Sequence, residues 1–568
     1  MEYEVLADMY EILESTSSKI KKTEILADLL SKTPTEMLPK VVLLSQGTVF
    51  PKFTGLELGI ATQMMIKAIS KATGFSTKDV EEKFKKTGDL GLVAEECVKY
   101  RKQTTLFKKR LTVAQIFQKL QQLPYITGEG SQEKKLNLIA ELLVSAKPKE
   151  ARYIVRTILG ELRIGIAEGI LRDAIVEAFL FKKGMHKEEK EKLIQIVDYA
   201  WNILSDFSEI ALIAKEKGVE GLRKIKVQIG KPIQVMLGLA AKNIEEVVKK
   251  FGKVIAQYKY DGARCQIHKK GNKIWIFTRR LENVTSQFPD IVEICQKGLK
   301  ADECIVEGEA LGIDRKTGNP LPFQILSQRI HRKYDIEKMV KEIPVQVNLF
   351  DIVYLNGKML FDKPLIEREK ILKKVVKIFP GKLQLAKEII SDNVKELEKF
   401  YHEALNAKQE GLMLKIPTSP YIFGRHVEGM YKIKPIMETL DLVIVGATWG
   451  TGARAKWLSS YILACRDPDT GKFLTCGMMG TGLTEEQFQM MTERLKELII
   501  SEKGREVKIK PKIVVEIAYQ EIQKSPHYDS GFALRFPRLV RIREDKGPDE
   551  ADTIKRLEEL FKSQGWRG

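Results

Sequence analysis

The chain changes character at Gly230-Lys231-Pro232, and that break excludes one continuous architecture for the whole sequence. Up to about residue 228, apolar residues recur at helical spacing. Ile25-Leu26-Ala27-Asp28-Leu29-Leu30 and Leu136-Asn137-Leu138-Ile139-Ala140-Glu141-Leu142-Leu143 each lay an apolar stripe along a helix. Gly47, Pro51, Gly128 and Gly130 separate these runs, and Pro148 is the only proline between residues 125 and 231. After Pro232, short β-branched or alternating runs take over. Arg264-Cys265-Gln266-Ile267-His268 and Lys273-Ile274-Trp275-Ile276-Phe277 flank Lys269-Lys270-Gly271-Asn272, a hairpin pattern.

Further strands are expected over Cys304 to Leu311, Val345 to Tyr354 and Gly411 to Lys415, with helices over Leu365 to Ile378 and Asn393 to Ala407. From about residue 436 strands dominate: Asp441 to Ala447, Ser460 to Cys465, Phe473 to Met478, Ile513 to Ala518 and Arg538 to Ile542. One helix interrupts them at the capping box Thr484-Glu485-Glu486-Gln487, and a last one runs from Asp549 to Lys562. The reading is three domains: all-α over 1–228, α+β over 229–435, and a small β-barrel of OB type with a C-terminal helix over 436–568. A length of 568 residues accommodates three or four units of about 150 residues.

The formal net charge of +19 opposes compaction unless a polyanion shares it, and nucleic acid is the natural partner. The six cysteines form no C-x-x-C pair and read as small apolar fillers. No run of about 18 apolar residues occurs, and the N-terminus lacks a basic region followed by an apolar one, so no membrane and a cytoplasmic location are expected.

The sharpest chemical signal is Lys259-Tyr260-Asp261-Gly262-Ala263-Arg264. A lysine becomes a nucleophile when desolvation and a neighbouring cation favour its neutral amine. Arg264 could supply that cation and grip a phosphate in bidentate fashion, and Gly262 permits a tight turn. K-x-D-G-x-R should arise by chance in roughly one chain of this length in a hundred, so other elements must support it.

These residues resemble the covalent nucleotidyltransferases: DNA ligases, RNA ligases and mRNA capping enzymes. Thr278-Arg279-Arg280-Leu281-Glu282-Asn283 resembles the next motif, with Arg279 facing phosphate and ribose. Val306-Glu307-Gly308-Glu309-Ala310 resembles the third, where Glu309 would bind the ribose hydroxyls. Phe350 in Asn348-Leu349-Phe350-Asp351 would stack on the base. Glu410-Gly411-Leu412-Met413-Leu414-Lys415 resembles the fourth motif, with Glu410, and with it Glu309, at a Mg²⁺ ion for which Mn²⁺ could substitute. Lys432 and Lys434, two residues apart in Tyr431-Lys432-Ile433-Lys434, would point one way from a strand.

Within this superfamily the resemblance is to ATP-dependent DNA ligases of the archaeal and eukaryotic replicative type, and it covers nearly the whole chain. Ala533 to Lys546 resembles their last motif, which implies that Arg543, Asp545 and Lys546 orient pyrophosphate. Ile444 to Gly452 and Gly480-Thr481-Gly482-Leu483 resemble their OB domain. Phe53 to Gly59 and Ala151 to Gly165 resemble their DNA-binding domain, with Arg152, Arg156 and Arg163 as the candidates for phosphate contact. NAD-dependent ligases carry a four-cysteine zinc site, which has no counterpart here.

Two positions depart from the pattern. The acid expected two residues before the nucleophile is Gln257, whose amide can accept from the adenine amino group or donate to the O6 of guanine; secondary nucleotides beside ATP are therefore expected. The arginine expected six residues before Lys432 is replaced by His426, with Arg425 beside it as the stand-in. The resemblance implies a monomer sealing 5′-phosphate/3′-hydroxyl nicks in duplex DNA through a lysyl-AMP intermediate, with a sliding clamp as a partner for which no tethering motif is evident. An RNA ligase or capping enzyme, and a non-catalytic nucleic-acid clamp, are the competing readings.

Overall fold

The computed structural model describes residues 1–101, 110–182, 184–330, 332, 335–435, 438–450, 454 and 456–564, without the side chains of 324 and 425–427. Residues 436 and 437, at the expected third-domain boundary, and Thr451 and Gly452 lie outside the described residues. Two compact units are present, Met1–Ile433 and Lys434–Gly568.

The first unit opens with twelve α-helices among the described residues, from Tyr3–Ser15 to Phe207–Arg223. Local sequence starts several of them. Ser76 and Asp79 form one capping box and Thr112 and Gln115 another, while Asp89 accepts from the N–H groups of Gly91 and Leu92. Pro148 is the first residue of helix Pro148–Ile158, where its missing N–H has no intrahelical partner to lose. That helix carries Arg152 and Arg156, one turn apart on the same face. The face turns inward: Arg156 is 2% exposed and bonds Asp89 at 2.7 Å and Glu14 at 2.8 Å. Arg152 pairs with Glu95 at 2.5 Å, and Arg163 lies 3.3 Å from Asp89. Arg156 is thus removed from the candidates for phosphate contact; the helical period gave its face, and the acids of the neighbouring helices determine what that face meets.

The rest of the unit contains two sheets built from strands β1 Met236–Ala240, β2 Val254–Lys259, β3 Ala263–Lys270, β4 Lys273–Thr278, β5 Glu303–Gly312, β6 Val345–Leu355, β7 Lys358–Met359, β8 Leu383–Leu385, β9 Glu388–Ser391, β10 Gly411–Lys415 and β11 Gly424–Ile433. One sheet has the order β1-β11-β10-β2-β9; the other runs β4-β3-β5-β6-β7, with β8 beside β6. One face of the first sheet, with Val254, Ala256, Tyr258, Leu412, Leu414, Tyr431 and Ile433, packs with Leu397, Phe400 and Val247 from helices Val394–Asn406 and Ile244–Phe251. Period-two alternation sends Gln257, Lys259, Met413, Lys415 and Lys432 to the opposite face. All six cysteines are buried and free.

Polar side chains clamp the segment where the sequence changes texture to β3. Gln266 accepts from the Ile233 N–H at 2.9 Å and donates to its carbonyl at 3.2 Å. His268, fully buried, accepts from the Gly230 N–H at Nδ1 (3.2 Å), which leaves Nε2–H to donate to Gln266 at 2.9 Å. Burial pushes its pKa down from 6.5 to about 3. Between those values the unfolded chain binds a proton that the folded one refuses, so this contribution falls with acidification by about 1.4 kcal/mol per pH unit. Urea unfolding from pH 7 to 4 should show that slope in the wild type and its loss in His268→Gln.

The second unit carries a seven-stranded sheet in which Leu440–Trp449 pairs with Leu458–Arg466, Glu506–Ile509 and Val514–Ala518, plus a two-stranded one of Glu521–Lys524 and Phe532–Arg535. Its core includes Leu442, Ile444, Tyr461, Leu463, Phe488, Val515 and Ile517. Thr484 and Gln487 form the expected capping box of helix Glu485–Lys496. Strands Ile499–Lys503, Glu506–Ile509, Glu521–Lys524 and Phe532–Arg535 go beyond the expected five; the first is largely exposed beyond Ile499 and pairs with Glu506–Ile509. The last helix starts at Ile554, after a 3₁₀ turn over Pro548–Glu550.

Candidate active site

Lys259 ends β2 in one sheet and Arg264 lies near the start of β3 in the other, so the lysine motif is the crossover between the two sheets. The crossover is tight. A Cβ on Gly262 would meet the Ala310 carbonyl oxygen at 2.4 Å, so close approach, rather than an unusual φ, requires glycine there. Opposite Lys259 in register is Gly411, with φ +137° and a would-be Cβ 2.2 Å from the Ile433 carbonyl oxygen. That glycine sets the preceding Glu410 against the lysine: the Glu410 N–H donates to the Lys259 carbonyl at 2.8 Å, and Lys259 Nζ is 2.7 Å from Glu410 Oε2.

Arg264 is engaged by groups other than the lysine. Its guanidinium donates to Glu307 at 2.8 Å and to the Met236 carbonyl at 2.7 Å, and lies 5.4 Å from the Phe350 ring centroid. Glu307, 1% exposed, also accepts from Tyr421 (3.0 Å) and Gln266 (3.3 Å). A cation near Lys259 is Lys432: burial lowers its pKa, and the charges of Lys259 and Arg279 lower it further against Glu410. Glu309 faces Arg264 across the β3–β5 pairing. Burial pushes Glu309 up to about 7 against the pull of Lys259 and Arg264, with Glu410 and Asp261 adding to the rise.

Phe350 on β6 has Lys415 Nζ 4.6 Å from its ring centroid. The next residue, Asp351, is gripped by Arg368 at 2.8 and 3.0 Å, which fixes the strand that carries the ring. Arg279 is exposed in the turn after β4. There the Thr278 hydroxyl accepts from the N–H groups of Arg280 and Glu282, and Leu281 is held at φ +64°. Gln257, 3% exposed, donates to Glu369 at 3.0 Å and Glu388 at 2.7 Å. The Arg425 backbone pairs with Leu237; its side chain and that of His426 lie outside the described residues.

The structure therefore brings Lys259, Glu309, Glu410, Arg279 and Lys432 into one electrostatic neighbourhood, with Arg264 and Phe350 beside it. Among the described residues no group of three or more His, Cys, Asp or Glu forms a metal cage. Glu309 and Glu410 are hard oxygen donors of the kind that hold Mg²⁺ together with water and substrate phosphates. Lys434 begins the second unit. Within that unit Arg543 and Lys546 both reach Asp441 at 2.7 Å, and Arg543 also pairs with Asp545 at 2.7 Å. The Asp545 carboxyl is held well below its ordinary range by the Arg543 hydrogen bonds. Glu307, Asp441, Arg368, Glu369 and Glu388 escaped the sequence reading. A lone acid at the start of an apolar strand was the only signal for Asp441.

Family models match along the chain: DNA ligase N terminus over residues 2–176, ATP dependent DNA ligase domain over 235–434, and ATP dependent DNA ligase C terminal region over 454–546. A DNA ligase of Nanoarchaeum equitans is 49% identical over 99% of both chains. One of Thermococcus onnurineus is 44% identical over 99% of this chain and 98% of its own, and one of Archaeoglobus fulgidus is 44% identical over 98% of each. The solved structure Pmar-Lig_Pre shares the fold, with a TM-score of 0.57 at 16% identity over 95% of this chain and 99% of that one. No helix among the described residues is long and apolar enough to cross a membrane.

Proposed function

This chain belongs to the ATP-dependent DNA ligases, which seal nicks in DNA, and on that footing we propose that Lys259 is the residue that carries AMP. The observation supporting this is the convergence of an amine, a carboxylate 2.7 Å away and a second ammonium at the crossover between two sheets. Attack requires the neutral amine. Glu410, whose Oε2 lies 2.7 Å from Nζ, is in position to accept the proton. Nζ then bonds the α-phosphorus of ATP as the bond to the β-phosphate oxygen breaks and pyrophosphate leaves. The adenylyl group passes to the 5′-phosphate of the nick, and the 3′-hydroxyl displaces AMP to close the phosphodiester.

The remaining residues meet charge and shape. Arg264, Arg279, Lys432 and Lys434 offset phosphate charge, Glu309 accepts from the ribose hydroxyls, and Phe350 stacks on the base. Arg425 stands in for the usual arginine, and Arg543, Asp545 and Lys546 orient pyrophosphate. Glu410 and Glu309 would hold Mg²⁺, or Mn²⁺ in its place, which would supply neutralisation of phosphate charge. ATP is the strongly preferred nucleotide donor. The working species is a monomer on nicked duplex, reading backbone and shape rather than bases, with a sliding clamp as the partner class the family suggests. Incubation of the full-length protein with α-³²P-labelled ATP and Mg²⁺, followed by mass spectrometry, should place AMP on residue 259. No adduct, or an adduct elsewhere, overturns the reading.

A further inference from the structure

We propose that Glu369 and Glu388 are positioning residues for base selection: they hold the Gln257 amide with its oxygen toward the nucleotide base, so that this amide acts as an acceptor for the 6-amino group of adenine. The proposal rests on the nucleotide site being at Lys259. Gln257 and Lys259 are two residues apart on β2, so their side chains leave the same face of the sheet. A free primary amide can present either end, offering an acceptor to adenine or a donor to the O6 of guanine. This amide is not free. It is 3% exposed, and its nitrogen donates to Glu369 Oε1 at 3.0 Å and to Glu388 Oε2 at 2.7 Å.

Both amide hydrogens are thereby used, and none remains for a guanine oxygen. Turning the amide over would lose two charge-assisted bonds and set its oxygen against two carboxylate oxygens. The two acids are themselves fixed from independent elements. Glu388 lies on β9 directly opposite Gln257 in register and pairs with Lys373 at 2.8 Å. Glu369 sits on helix Leu365–Val375, 3% exposed, with its Oε2 buried and lacking a hydrogen-bond partner among the described residues. Burial, with the charges of Glu388 and Asp351, pushes its pKa up to about 7 against Lys415 and Lys373. Protonation at Oε2 would still leave Oε1 as an acceptor for the amide.

The arrangement makes a counterintuitive demand. A carboxylate at position 257 is acceptor-only, and by itself should favour adenine at least as well as an amide. In this chain Gln257→Glu instead adds a third acid against Glu369 and Glu388. Charging of Lys259 with labelled ATP and labelled GTP, on the full-length protein, tests the idea. In Glu369→Gln/Glu388→Gln, whose amides let Gln257 turn either way, the ATP-to-GTP ratio of kcat/KM should fall about tenfold or more, with GTP use rising. Gln257→Glu alone should lose about tenfold in kcat/KM for ATP, and Glu369→Gln should restore it by donating to the new carboxylate. An unchanged ratio in the double variant, or Gln257→Glu charging as well as the wild type, overturns the proposal. If the double variant does not fold, the Gln257→Glu loss and its rescue decide alone. Wild type that forms no adduct at Lys259 with any triphosphate would instead refute the nucleotide site itself, a distinct result.

Discussion

Lys259→Arg should abolish charging with AMP and the sealing of an ordinary 5′-phosphate nick, to below about 10⁻⁴ of wild type, while a nick already carrying a 5′-adenylate is still sealed within about tenfold. The argument turns on which property of the lysine each step uses. Arginine keeps a positive charge opposite Glu410, so the ion pair that spans 2.7 Å in the wild type keeps its sign and the pocket its charge balance. A guanidinium does not give up its proton at any working pH, so no lone pair is available to attack phosphorus. The first step needs that lone pair and the second needs the lysyl adduct it forms; the third uses the 3′-hydroxyl of the DNA. Rapid-quench sealing of the two nicks separates the steps. An adduct that persists in Lys259→Arg would place the nucleophile elsewhere. Equal loss on both nicks would show that the substitution damages the pocket rather than the chemistry. Lys259→Ala is the less informative variant, because it also leaves Glu410 without its cation.

The lysine motif was readable because its spacing is local: six residues must leave one sheet, turn, and enter another, and Lys259, Gly262 and Arg264 each have a fixed place in that turn. What each side chain meets was not local. Arg264 was expected to serve the lysine, yet it is bound by Glu307 from β5 and the Met236 carbonyl. Of the two acids in Glu307-Gly308-Glu309 only the second drew notice, because the resemblance assigns a role to that one. The Gln257 amide has no intrinsic direction; Glu369 and Glu388, from a helix and a strand far along the chain, give it one. Domain textures followed from periodicity, whereas short, largely exposed strands such as Ile499–Lys503 carry little alternation and depend on pairing with a partner strand. Arg156 shows the same limit within a helix: spacing placed it on a face with Arg152, and only packing showed that the face is inside.

Arg156→Ala should destabilise the helical half by about 3–5 kcal/mol, lowering its thermal midpoint by roughly 10 °C, without changing how DNA affinity depends on salt. The arginine is 2% exposed and Asp89 4%, so truncation strands a buried carboxylate, with Arg163 at 3.3 Å as its remaining cation. Asp89 also caps helix Leu90–Lys99, so its displacement would loosen that helix start. Burial alone would raise the Asp89 and Glu14 carboxyls; the Arg156 hydrogen bonds and charge outweigh it and leave both below their ordinary values. Carboxyls lowered in this way contribute stability in full above the unfolded-state value of about 4, and lose it as the pH falls through their folded values. Wild type and variant should therefore converge on acidification below that point. A phosphate contact would behave otherwise: its removal would reduce the slope of log affinity against log salt by about one unit, at little cost to folding. Guanidinium unfolding of both proteins at pH 7 and pH 3, with nick binding measured across salt at a temperature where both are folded, distinguishes the two roles. A flattened salt slope with unchanged stability would return Arg156 to the DNA-facing surface.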